Sequence, residues 1–164
     1  MTPQEAAARI DAAGTGIEAE LGNMSDALAT WHPAAGEWCV KDVLAHLVHV
    51  ERLGFRGRIE AMLASDNPQL KASGSAPEAC QRDLEEMLAE FREERLRSVE
   101  LVAGLSAADL MRTGTHERVG RLTVSDIVHE WVHHDRAHLR QILANVQAYV
   151  WPEMGGAQAF SRPG

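Results

Sequence analysis

Apolar residues fall into four long stretches of helical period, separated by polar breaks. In the first, Ile10, Ile17, Met24 and Trp31 recur every seven residues with Leu21 and Leu28 between them, which draws one apolar seam along a helix. Thr2 can cap that helix, with Pro3 at its first position and Glu5 completing a capping box. Gly14, Gly16 and Gly22 weaken the seam, yet it predicts helix one as far as Thr30. After the break His32-Pro33-Ala34-Ala35-Gly36, Cys39 stands at a cap position with Asp42 three residues on. Val40, Val43, Leu47 and Val50 then start helix two, predicted from Val40 to Ala64. The longest linker runs through Ser65-Asp66-Asn67-Pro68 and Ser73-Gly74-Ser75, and Ser75 with Glu78 forms a further capping box ahead of helix three. Leu84, Leu88, Phe91, Val102 and Leu105 carry helix three to a terminator at Gly104, and Ser106 with Asp109 starts one short turn. Thr123 with Asp126 opens helix four, predicted to run to Gln147. The pattern predicts an all-α four-helix bundle over residues 1–147 and an irregular C-terminal tail, rich in Pro and Gly, over 148–164.

Composition narrows the setting. The 164 residues suffice for one domain with one core, and a single Tyr and three Phe argue for few strands. The net charge of -8 repels phosphate backbones and anionic lipid, which argues against nucleic acid and membrane as partners. No segment approaches the length of a membrane span, and the first residues hold no basic stretch leading into an apolar run, so a cytoplasmic location is expected. Cys39 and Cys80 are far apart in sequence and make no Cys-x-x-Cys unit, so neither a disulfide framework nor a cysteine zinc site is expected.

The candidate chemistry lies in the histidines. His134 and His138 stand four residues apart, which stacks both rings on one helix face. Taking His134 as zero on a helical wheel, Ile127, His138, Trp131, Ile142 and Val128 fall at roughly 20°, 40°, 60°, 80° and 120°, so the pair borders the apolar face. His129 and His133 have the same spacing but fall at roughly 220° and 260°, toward solvent. On helix two, Val50, Val43 and Leu47 lie at roughly 40°, 60° and 100° from His46, which therefore faces inward, while His49 sits at the edge near about -60°. Three uncharged imidazoles converging in a bundle leave ring nitrogens to satisfy, and a divalent metal supplies the partner. The competing reading, weighed for each histidine, is a satisfied core residue or a surface pair.

Three other features border these faces. Glu51, roughly 140° from His46, reads as a solvated or interhelical carboxylate. Gly54 and Gly57 lie at about 80° and 20° from His46, where they serve close helix packing or leave room for substrate. Arg95 and Ser98 interrupt the apolar line of helix three; Arg95 reads as snorkelling to the surface, with contact to an anionic substrate group as the alternative.

The segment Trp38-Cys39-Val40-Lys41-Asp42-Val43-Leu44-Ala45-His46-Leu47, followed by Glu51, resembles the second-helix motif of the DinB-like (YfiT-like) superfamily of metal-binding four-helix bundles. The stretch from Gly114 to Ile142 resembles that family's closing motif, with His116, Gly120, Leu122-Thr123, Asp126, His134-Asp135-Arg136 and His138-Leu139-Arg140-Gln141-Ile142. The resemblance implies His46, His134 and His138 as metal ligands and zinc or nickel as the metal. Cys39 departs from the family's usual Ser or Thr cap; its thiol, at the mouth of the site, could also bind metal or oxidise. Activities in the family include thiol-dependent transfer, so the expected function is a metal-dependent S-transferase or hydrolase that activates a low-molecular-weight thiol or water against a small-molecule substrate. The alternative is a non-catalytic metal-binding stress-response protein. Exposed apolar positions on helix one or four could form a homodimer.

Overall fold

The computed structural model describes residues 1–74 and 79–161. Four long helices form the bundle. Helix α1 (Pro3–Leu21) is capped by Thr2, whose hydroxyl accepts from the Glu5 N–H while the Glu5 carboxylate accepts from the Thr2 N–H. It stops nine residues before the expected end, at Leu21 rather than Thr30, because Ser25 caps a separate short helix, α2 (Asp26–Ala29). The heptad seam therefore runs across a break, and its last members, Leu28 and Trp31, are only half-buried.

The second long element is α3 (Val40–His49), a π-helical segment over Val50–Arg56, and α4 (Gly57–Ala64), all in one rod. In the π segment the Gly57 N–H reaches back five residues to the Arg52 carbonyl. A Cβ at position 57 would lie 2.6 Å from that carbonyl oxygen. Gly57 thus serves the backbone, and the wheel angles assigned to Gly54 and Gly57 fail because the wheel presumes a regular helix.

The third helix, α5 (Leu84–Ala103), is capped by Asp83, whose carboxylate accepts from the Glu86 N–H; the Ser75–Glu78 box lies outside the described residues. After the short α6 (Ala107–Leu110) two strands join one that precedes α5, completing a three-stranded sheet that the patterning did not reveal. Strand β1 (Gln69–Leu70) pairs parallel with β2 (Thr113–His116), which pairs antiparallel with β3 (Gly120–Thr123). Strands this short show no readable alternation. Gly114 sits in the middle of β2 because a side chain there would strike Leu70 and Met62. Thr123 then caps α7 (Val124–Val150), which continues past residue 147 into a 3-10 stretch, Trp151–Phe160, broken at Gly155 where φ is +51°. Among the described residues no helix is long and apolar enough to cross a membrane.

Helix α1 lies against α5 and α7, and α3 against the same two. The core separates into two apolar clusters. One gathers Ile10, Phe55, Ile59, Val102 and Trp131. The other gathers Ile17, Leu44, Leu47, Phe91 and Ile142. Between them, on each long element, sits a residue that neither cluster contains: Gly14, Glu51, Arg95 and Asp135.

Alanine in place of glycine usually stabilises a helix by about 1 kcal/mol. At position 57 the sign should reverse. Gly57→Ala is expected to lower the thermal midpoint because the fixed Arg52 carbonyl blocks the methyl group; a midpoint raised or unchanged in a calorimetric scan would show that the π segment relaxes without cost.

Candidate metal centre

The structure brings His46 on α3 together with His134 and His138 on α7. One ring nitrogen of each lies within 4.8 Å of the other two, and the Nε2 atoms of His46 and His134 are 3.1 Å apart. All three side chains are half-buried. Two aromatic residues flank them. Trp38 lies 5.0 Å from the His46 ring centre and stacks at 6.2 Å on His138, while Phe55, itself stacked on Trp131, meets His134 edge-on at 5.1 Å. Trp38 is held by its carbonyl, which accepts from Asn145 Nδ2 at 2.9 Å.

This enclosure disfavours the charged form of His46 and of His138. Burial, followed by the neighbouring His138, His134 and His49, holds His46 down to about 4. Burial, followed by His134, also lowers His138, against a smaller upward pull from Gln141. His138 Nδ1 lies 2.9 Å from Gln141 Oε1, an acceptor, so Nδ1 carries the proton and Nε2 keeps its lone pair. His134 Nδ1 is buried without a hydrogen-bond partner among the described residues, with Asp135 Oδ1 4.0 Å away. Convergent ring nitrogens, with the far atom of His138 oriented by Gln141, are the donor chemistry of a divalent transition metal. The residues fit such an ion.

The expected solvent pair, His129 and His133, is exposed. His49 is half-buried and bonded to the Ser73 carbonyl. His116 is buried on β2 and accepts from the Arg118 N–H at 3.2 Å. It lines a cavity of about 820 Å³ with Phe55, Arg58, Ser73, Leu122 and Glu130. The three clustered histidines are not in that cavity's wall; Phe55 stands between, touching both.

Behind the histidines lies a charged group that the sequence reading misplaced. Arg95 does not snorkel to the surface and meets no open site: its side chain is 4% exposed. It donates from Nη1 to Asp135 Oδ2 at 2.5 Å and to the Ile10 carbonyl at 2.6 Å, and from Nη2 to Glu51 Oε2 at 3.1 Å. Glu51 is interhelical, as one of its two expected readings had it, and fully buried rather than solvated. Asp135, which the sequence offers only as part of the closing motif, has a wheel angle of roughly 100° from His134 that sets it amid the apolar residues. A carboxylate and a guanidinium on the apolar faces of different helices were the signal. Burial, with Asp135 adding to it and Arg95 opposing, pushes Glu51 up to about 7.

Cys39 also departs from expectation. Its thiol is not at the mouth of the histidine group; it is fully buried and points into a separate cluster with His32, Asp42 and Cys80. Folding of the linker ahead of α5 closes the sequence gap that made the two cysteines look unrelated.

A sequence model of the DinB superfamily matches residues 9–142. The chain belongs to the DinB superfamily. Among solved structures, this DinB bundle is similar to YfiT from Bacillus subtilis, described as a probable metal-dependent hydrolase with an unusual four-helix bundle topology. The TM-score is 0.74 at 17% identity, over 88% of this chain and 86% of that one. At that identity the likeness shows the fold. No curated protein sequence matches the chain.

Two outcomes follow from the buried charges of this DinB chain. Arg95→Met leaves two buried carboxylates without their cation, and should cost about 3–5 kcal/mol at neutral pH in urea unfolding, with a smaller loss in mild acid. A loss below about 1 kcal/mol would mean that water reaches the group. With its pKa raised from 4.5 to about 7, Glu51 gives the native state a proton that the unfolded chain has released between those values. Its stabilising contribution is therefore full below pH 4.5 and lost as pH rises through 7. Stability measured for Glu51→Gln against the parent should shift in the variant's favour across that window; a constant difference would place Glu51 at its ordinary value.

Proposed function

We propose that this protein is a metal-dependent enzyme, with His46, His134 and His138 holding one zinc or nickel ion, acting as a hydrolase or thiol-dependent S-transferase on a small electrophile. The observation that carries the reading is the convergence of three histidine ring nitrogens within 4.8 Å, a set that would supply three ligands to a divalent ion and leave room for a further one. The chemistry a divalent ion supplies in such a site is a lowered pKa for water or a thiol at the open position, which gives a nucleophile at neutral pH. YfiT, of the same fold, is described as a probable metal-dependent hydrolase, which supports the hydrolase arm.

The chain's own residues would orient and shield the site. Gln141 fixes the His138 tautomer by accepting from Nδ1, and the Arg95–Asp135 pair anchors the turn of α7 that carries His134. Trp38 and Phe55 keep bulk water from two sides of the imidazoles, which strengthens electrostatic interactions inside the enclosure. The cavity beside Phe55, with Arg58 and His116 in its wall, offers space for a substrate.

The test is elemental analysis of untagged protein beside His134→Ala/His138→Ala, followed by turnover assays with ester substrates and with low-molecular-weight thiols plus a model electrophile. The parent should carry about one equivalent more metal than the double variant and show metal-dependent turnover that the variant lacks. Equal metal content after reconstitution with zinc and nickel would overturn the site. A bound metal with no turnover in either assay would favour the non-catalytic metal-binding reading.

A further inference from the structure

A second cluster of metal-ligating side chains stands apart from the histidine triad, on the loop after α2, the first turn of α3 and the approach to α5. Cys39 Sγ lies 3.2 Å from Cys80 Sγ. Cys80 Sγ is in turn 3.7 Å from His32 Nε2 and 3.7 Å from Asp42 Oδ1. One donor atom from each of the four falls within 4.8 Å of all the others. Tetrahedral zinc, with sulfur at about 2.3 Å and nitrogen or oxygen at about 2.0–2.2 Å, sets neighbouring donors about 3.4–3.8 Å apart. The two 3.7 Å separations fall in that range and the 3.2 Å sulfur pair lies just below it.

The far side of each hard ligand is already engaged. His32 Nδ1 is 2.7 Å from the Glu37 carbonyl, which can only accept, so Nδ1 carries the proton and Nε2 turns its lone pair toward the sulfurs. Asp42 Oδ2 accepts from the Cys39 N–H at 3.2 Å, leaving Oδ1 on the thiol side. A backbone carbonyl behind the imidazole and a backbone N–H behind the carboxylate are the outer contacts that orient ligands at zinc sites. Lys41, itself buried, ties the first turn of α3 to α2 and to the approach to α5 by donating to Asp26 Oδ1 at 2.5 Å and to the Arg82 carbonyl at 2.8 Å.

We infer that Cys39, Cys80, His32 and Asp42 form a second, structural zinc site, closed by four protein ligands and independent of the histidine triad. Binding releases one proton from each thiol, so that two thiolates, one carboxylate and a neutral imidazole surround the ion. Two sulfurs together with a nitrogen and an oxygen select zinc over magnesium or calcium. The site joins the segment from His32 to Asp42 to Cys80, 38 residues beyond Asp42, at the N-terminus of the helix that carries His46, next to Trp38, which covers the triad. It therefore fixes the start of α3 and holds the triad's wall in place.

The test uses cobalt as a spectroscopic stand-in for zinc, added to reduced, metal-free protein without air. The parent should show near-ultraviolet thiolate-to-cobalt absorption, and His134→Ala/His138→Ala should show it undiminished, so failure of the triad reading leaves this result intact. Cys80→Ser, which removes one of the two thiolates, should weaken the band, and His32→Gln, a change at an exposed residue, should weaken cobalt binding without unfolding the chain. Zinc should also protect both thiols of the parent and of the triad variant from a disulfide reagent. Absence of the band in a folded parent, or equal thiol reactivity with and without zinc, would overturn the proposal. So would air oxidation to a Cys39–Cys80 disulfide in a protein that binds no zinc once reduced.

Discussion

The buried guanidinium of Arg95 is the constraint on which the bundle's arrangement depends. It reaches three other long elements at once: the Ile10 carbonyl on α1, Glu51 in the π segment and Asp135 on α7. An ion group this deep is a costly way to gain stability, since desolvation offsets much of the attraction. What it supplies is register. Two apolar clusters would tolerate a slide of one helix along another, because oily surfaces are non-directional, whereas a charged layer between them has one position in which every partner is reached. Gly14 belongs to the same layer for a steric reason: a Cβ there would lie 3.1 Å from Arg95 Cγ, so the glycine leaves space for the arginine stem.

The histidines inherit their placement from that layer. Asp135 follows His134 directly, so fixing its carboxylate fixes the rotation of α7 at the turn where the ring projects. Glu51 stands five residues after His46 on the facing rod and is held by the same guanidinium. One cation thereby sets the approach of α3 and α7 from which the 3.1 Å contact between His46 and His134 follows. The aromatic wall adds the electrostatic half: burial favours the uncharged imidazole, the only form of histidine that can donate a lone pair to a metal.

Much of this was legible in the sequence, for identifiable reasons. Capping boxes at Thr2, Ser106 and Thr123 marked helix starts that the structure has, because a cap is a local interaction. Helical phase placed His46, His134 and His138 on inward faces and the pair His129 and His133 in solvent, because phase is also local. The failures are non-local. Arg95 looked like an interruption of a stripe until Glu51 and Asp135 were brought to it, and Cys39 looked like a poor cap until the linker delivered Cys80. The sheet escaped because its strands span two to four residues, fewer than a period-two pattern needs to declare itself.

The π segment was legible in a way that helical wheels conceal. The buried residues Val43, Leu47, Glu51, Phe55 and Ile59 follow one another at a constant spacing of four. In a regular helix such a line rotates about 40° per step, carrying Ile59 far from the face that Val43 occupies. A stretch with wider turns takes up that rotation, since each step of four there is closer to a full turn. The interruption over Val50–Arg56 therefore keeps Glu51 and Phe55 on the side where His46 lies, one to bind Arg95 and the other to wall His134. Gly57 is where the rod returns to the tighter winding, at the point where the Arg52 carbonyl leaves no room for a side chain. A glycine that lowers helix propensity is in this position a requirement of the same geometry that aligns the site.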